Sequence, residues 1–143
     1  MEEKLIRSLA GLALSALALW AAGTAPARAS NCVMESYNHN GSVMEVIWCD
    51  NGVNIAYDRP RQSLLKHGVR PGTILFEGQA YANYAISGTA RVFNRVCGVA
   101  TYPVSGNIHP GRIVMHGQAP VRDTSTCAIK RYRDDTLVFD LMP

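Results

Sequence analysis

Strong net charge is missing from this chain. Its 143 residues hold 14 Lys and Arg against 11 Asp and Glu, a formal net charge of +3. A nucleic-acid binder would show a pI above ~9 and a basic stripe, so that class of partner is not expected. Enzyme motifs are missing too. No Gly-x-Ser-x-Gly elbow occurs, and the nearest stretch, Pro103 to Gly106, lacks its leading glycine. There is no His-Glu-x-x-His and no phosphate-cradling glycine loop. The absence of Cys-x-x-Cys and of a spaced histidine pair argues against a zinc site. Glu35, Glu45, Asp50, Asp58 and Glu77 carry no pattern that sets a catalytic pair apart from surface charge. The expectation is a protein that works by binding, without catalysis and without a cofactor.

Long apolar stretches are also scarce, with one exception at the start. Lys4 and Arg7 precede LAGLALSALALWAAG, which leads to Ala27, Arg28 and Ala29. A charged start, a short apolar centre and small residues at the cleavage positions describe a secretory leader. The run is shorter than the ~20 residues of a spanning helix. Residues 1–29 are therefore expected to be a cleaved signal peptide and 30–143 a single domain, periplasmic or secreted, with no stable membrane insertion after cleavage. Without the leader, eleven basic and nine acidic residues remain. Charge alone singles out no partner.

Four cysteines, Cys32, Cys49, Cys97 and Cys127, all fall in that domain. An even count in a small exported chain reads as two disulfides. Asn40 and Gly41 form a strong hairpin signal, because a type I′ turn needs positive φ at both central residues. With those two as the loop, His39 faces Ser42, and counting outward sets Cys32 opposite Cys49 at a non-hydrogen-bonded position. The Cα atoms of such a pair lie ~4.5 Å apart, within reach of a disulfide. The expected bridges are Cys32–Cys49 and, with the two that remain, Cys97–Cys127.

Beyond the hairpin, short strands alternate with turn residues: Asp50 to Gly52, Arg70 to Gly72, His109 to Arg112. This predicts an all-β fold, a small antiparallel barrel or sandwich with one short helix, stapled by disulfides. The helix is expected within YDRPRQSLLKHG: Asp58 as cap, Pro60 in the first turn, about two turns through QSLLK, and Gly68 as a left-handed C-terminal cap. Arg59, Arg61, Lys66 and Arg70 cluster here. With Leu64 and Leu65 turned inward, these cations read as the solvated face of a strand–helix–strand connection. The chain is expected to close with two short strands, AIKRYR and LVFDL.

Candidate binding residues follow from the loops. Tyr81, Tyr84 and Arg91 could recognise a protein or an envelope glycan. His39 and His109 stand beside turns, and His67 at the helix end; His116 follows the apolar run IVM and precedes a glycine.

The second half resembles the periplasmic and membrane-bound inhibitors of C-type lysozyme. The resemblance runs from about Trp48 to Cys127 and rests on Ser87-Gly88-Thr89-Ala90, on RIVMHGQAPV and on the late Cys127. It implies an exported β-barrel whose Ser87 loop and His116 loop enter a muramidase cleft and engage its two carboxylates. His116 stands where that family has a lysine, Cys97 is an additional cysteine, and a tyrosine expected soon after Ser-Gly is missing. The resemblance also implies a Cys49–Cys127 bridge, at odds with the hairpin reading.

Overall fold

A computed structural model describes residues 31–50 and 52–143. The leader assigned to residues 1–29 lies outside the described residues. Eight antiparallel strands follow one another around a closed barrel: β1 (Cys32–His39), β2 (Ser42–Cys49), β3 (Gly52–Arg59), β4 (Ile74–Ala80), β5 (Ala85–Asn94), β6 (Gly98–His109), β7 (Arg112–Arg122) and β8 (Ile129–Leu141). Each pairs with the next, and β8 returns to β1 through Tyr37 opposite Leu141 and Asn38 opposite Asp140. That closure excludes the sandwich alternative. Among the described residues, no helix is long and apolar enough to cross a membrane.

The first hairpin forms as its sequence dictates. Asn40 and Gly41 both adopt positive φ (51° and 82°), and β1 pairs with β2 from His39–Ser42 out to Cys32–Cys49. The two cysteines are bonded, with Cα atoms 4.2 Å apart, and Cys97 is bonded to Cys127 across 5.4 Å. Two disulfides are the mark of a chain that folds in an oxidising, extracytoplasmic compartment.

Alternation fills the barrel. Ser42, Met44 and Val46 of β2 point inward and are fully buried, as are Ile55, Phe76, Ile113, Met115 and Phe139 from other strands. Eight strands enclose a space that side chains can fill, and each large apolar group buried there contributes ~1.5–3 kcal/mol. Tight coiling of the sheet depends on Gly78 and Gly88, directly opposite one another on β4 and β5. A methyl group on Gly88 would overlap the Glu77 carbonyl oxygen and meet the Phe76 ring, which covers this bare backbone.

The link between β3 and β4 departs from expectation. The helix α1 spans only Gln62–Leu65, a single turn, with Arg61 at its N-cap. Asp58 does not cap it, because β3 holds both Asp58 and Arg59, the latter paired with Val43. The Arg61 N–H is satisfied instead by Ser42 Oγ at 3.0 Å, a partner nineteen residues away. Gly68 does take the left-handed conformation (φ 87°). Val69, fully buried, inserts into the core beside the half-buried Leu64. Arg61 donates to the Asn40 carbonyl, and Arg70 to those of Leu65 and Val69, so two of the clustered cations tie the connection down.

The chain also ends differently, in one continuous thirteen-residue strand rather than two. Asp134 and Asp135, which lie between the two expected strands, are both satisfied within β8. Asp134 accepts from Gln118, and Asp135 accepts from the Tyr102 hydroxyl and from Arg133. Burial and this carboxylate raise the Tyr102 hydroxyl far above its ordinary range. At the opposite end Glu35 accepts from Trp48 Nε1 at 2.9 Å and from the Tyr37 hydroxyl at 3.3 Å. Burial first, then the Glu35 charge, pushes Tyr37 up to about 12.

Candidate functional site

Ser87 and His116 stand in strands, not in loops as the sequence suggested: Ser87 in β5 and His116 in β7. The register nonetheless brings them together. Ser87 is opposite Ser105 of β6, Ser105 is opposite His116, and His116 is opposite Thr136 of β8. Directly opposed residues share one face of a sheet, and these four point outward. Two strand spacings of ~4.8 Å set Ser87 and His116 roughly 10 Å apart.

The row crosses an open groove of about 620 Å³, whose walls include Ser87, Thr89, Pro103, Ser105, His116 and Gln118. The groove spans the last paired positions of β6 and β7, Ser105–His116 and Val104–Gly117, and the first ones beyond them, Pro103 and Gln118. The β6–β7 pairing runs from the turn at His109–Arg112 only as far as Val104–Gly117. Backbone hydrogen bonds alternate along an antiparallel ladder. From the closing pair, positions 105 and 103 of β6 and positions 118 and 120 of β7 aim their backbone groups at this seam. Pro103 and Pro120 occupy two of those positions and have no N–H to donate. Beyond the gap, the Arg122 guanidinium bridges back to the Cys97 and Gly98 carbonyls at 2.7 and 2.6 Å.

Within the groove the polar groups are held by neighbours on the same surface. His116 Nδ1 lies 3.1 Å from Thr136 Oγ1, and Ser87 Oγ lies 3.2 Å from the Tyr81 hydroxyl. Gln118 donates to Asp134 beside an adjoining hollow of about 290 Å³. Ser87 and His116 are each bonded elsewhere, with Ser105 between them. The arrangement can present hydroxyls, an amide and an imidazole to a ligand.

The remaining predicted residues divide. Tyr84 lies in the β4–β5 turn, three positions before Ser87, its side chain 70% exposed. With Ile108, His109 and Pro110 it surrounds a hollow of about 430 Å³. Arg91 is on β5 rather than in a loop, beyond Thr89 and outside the groove walls, and its guanidinium pairs with Glu77. Among the described residues, no three His, Cys, Asp or Glu side chains gather as a metal site would need.

Ser105, Thr136 and Gln118 were missed by sequence reasoning. The signal for Ser105 was present: counting back from the His109–Arg112 turn places it opposite His116. Comparison of the chain with family models, with curated proteins and with solved structures finds no match in any of the three.

Proposed function

We propose that this chain is an exported binding protein, periplasmic or secreted, whose β5–β8 groove takes a cell-envelope glycan. The observation that carries this reading is the outward row Ser87, Ser105, His116 and Thr136. Hydroxyl groups both donate and accept, and the Gln118 amide offers both roles at fixed atoms. Sugar hydroxyls present the same double character, so such a surface suits a neutral carbohydrate better than a polyanion. The groove is open, so an extended chain can lie across the row. Calorimetric titration of the mature protein with N-acetylchitotetraose and with purified peptidoglycan tests this. Ser87→Ala and His116→Ala are each expected to weaken binding about threefold to tenfold, the worth of one hydrogen bond. Unchanged affinity in both variants would remove the groove from the function.

Inhibition of a C-type muramidase is the second reading, favoured by the placement of Ser87 and His116 on one face. A hydroxyl and an imidazole about two strands apart could complement the acid and carboxylate of a glycosidase cleft. It is tested by following cell-wall lysis with the purified chain present. Undiminished lysis at a large molar excess would eliminate it.

A further inference from the structure

The geometry points to an aromatic sugar-stacking subsite at the β4–β5 turn, with Tyr84 as its platform, that extends the groove towards the barrel end. This rests on the glycan reading of the groove and names how a longer chain would be held.

The argument starts from the backbone. Four non-glycine residues among those described have positive φ: Asn40, Asp50, Tyr84 and Cys127. Asn and Asp tolerate the left-handed region because their short side chains bond locally, and Cys127 is tied by its disulfide. Tyr84, at φ 62°, has neither reason. Glycine or asparagine is the usual residue at such a position, and a bulky aromatic there is an outlier that calls for explanation.

The surroundings hold that conformation firmly. Tyr84 N–H donates to the Tyr81 carbonyl at 2.9 Å, and the Tyr84 carbonyl accepts from Ile108 N–H at 2.8 Å. Packing does not require the ring, which is mostly exposed. The turn thus accepts backbone strain to hold an aromatic surface in solvent above Ile108, His109 and Pro110. Tyr81, half exposed beside it, touches Ser87 of the groove through its hydroxyl. Tyr81 therefore links the turn that carries Tyr84 to the row of hydroxyls.

An aromatic face next to hydroxyl and amide groups is matched by a pyranose, which has an apolar C–H face and a polar rim. Tyr84 lies three positions before Ser87, ~10 Å along the strand direction. A ligand that touches both must be an oligosaccharide; a single sugar is too short.

Tyr84→Asn provides the test, because asparagine suits the backbone and lacks the ring. Its Tm is expected to be equal to or higher than that of the parent chain, while affinity for N-acetylchitotetraose falls about tenfold, in line with the loss of one aromatic contact. Tyr84→Phe should keep both. The free monosaccharide should bind far more weakly than the tetramer. A Tm lowered by several degrees in Tyr84→Asn would overturn the strain argument. Unchanged affinity in Tyr84→Asn, alongside loss in Ser87→Ala and His116→Ala, would overturn the subsite and leave the groove. Loss in Tyr84→Asn, with the groove variants unaffected, would leave a binding site at the turn alone and overturn both the groove and the claim that the subsite extends it. Failure of the parent chain to bind the tetramer would overturn both.

Discussion

Pro103 on β6 and Pro120 on β7 flank the same seam of the barrel, and neither can donate a hydrogen bond across it. In most sheets a central proline removes one ladder bond. Here two act at neighbouring positions on facing strands, and the pairing stops at Val104–Gly117. The groove that holds Ser105, His116 and Gln118 straddles that point. Proline placement thus links a local backbone property to the surface that the protein presents.

Restoring both donors should close the seam. The double variant Pro103→Thr, Pro120→Thr is expected to extend the β6–β7 ladder upward. Hydrogen exchange would then show protected amides at positions 103 and 120, a sign of paired backbone. Binding of N-acetylchitotetraose should weaken at the same time, because the walls approach. Fast exchange at both positions would show that the prolines do not set the gap.

A glycine pair makes the second prediction. Gly78 and Gly88 face one another beneath the Phe76 ring, and a methyl on Gly88 has no space between that ring and the Glu77 carbonyl. Gly88→Ala should destabilise the barrel by about 3 kcal/mol, the upper end of the overpacking range. Ser87→Ala, one residue away on the outer face, should stay within roughly 0.5 kcal/mol of the parent. Urea unfolding of the two variants side by side checks both values.

Local chemistry was legible in the sequence and long-range geometry was not. Asn40-Gly41 fixed the first hairpin, and with it the Cys32–Cys49 bridge, because turn type and register are set by adjacent residues. Barrel closure depends on Tyr37 and Asn38 meeting Leu141 and Asp140, a hundred positions later, which alternation alone cannot reveal. The helix was overestimated for a related reason. Asp58 looked like a cap, but β2 keeps Arg59 in the sheet; Arg61 stands at the N-cap without a side-chain cap, and Ser42 on another strand accepts its N–H. Ser87 and His116 stood out as individual residues. Their common face became visible only through the intervening Ser105.

The second disulfide should matter as much as its length suggests. Cys97 and Cys127 are separated by 30 residues, which include the whole β6–β7 hairpin. Closing a loop of that length restricts the unfolded chain by about 3–4 kcal/mol in the chain-entropy account. The double variant Cys97→Ser, Cys127→Ser is expected to lose that much in urea unfolding. The Arg122 bonds to the Cys97 and Gly98 carbonyls hold the same corner. Adding Arg122→Ala to the double variant should therefore cost more than in the parent, where the disulfide still holds the corner; equal costs in the two backgrounds would show no coupling.

His39 gives the fold a pH dependence whose sign can be worked out. The ring is buried and stacks on Phe139 at 4.6 Å. Its Nδ1 donates to the Val138 carbonyl at 2.8 Å, and Nε2 faces the Asn40 amide at 3.4 Å, which suits a neutral imidazole. Burial lowers its pKa below the ordinary 6.5; the Val138 bond and the Asp135 charge oppose this, and the Arg61 charge reinforces it. Between the lowered folded value and 6.5 the unfolded chain binds more protons than the folded one, so stability rises with pH there. The contribution of neutral His39 is complete above ~6.5 and is lost as pH falls through the window below it. His39→Phe keeps an aromatic stack and removes the titration, at a cost of about 1 kcal/mol near neutrality for the lost hydrogen bond. Urea unfolding at a series of pH values should then show the gap between parent and variant narrowing as the solution is acidified. A gap that stays constant down to pH ~5 would show that His39 does not set the acid sensitivity of the barrel.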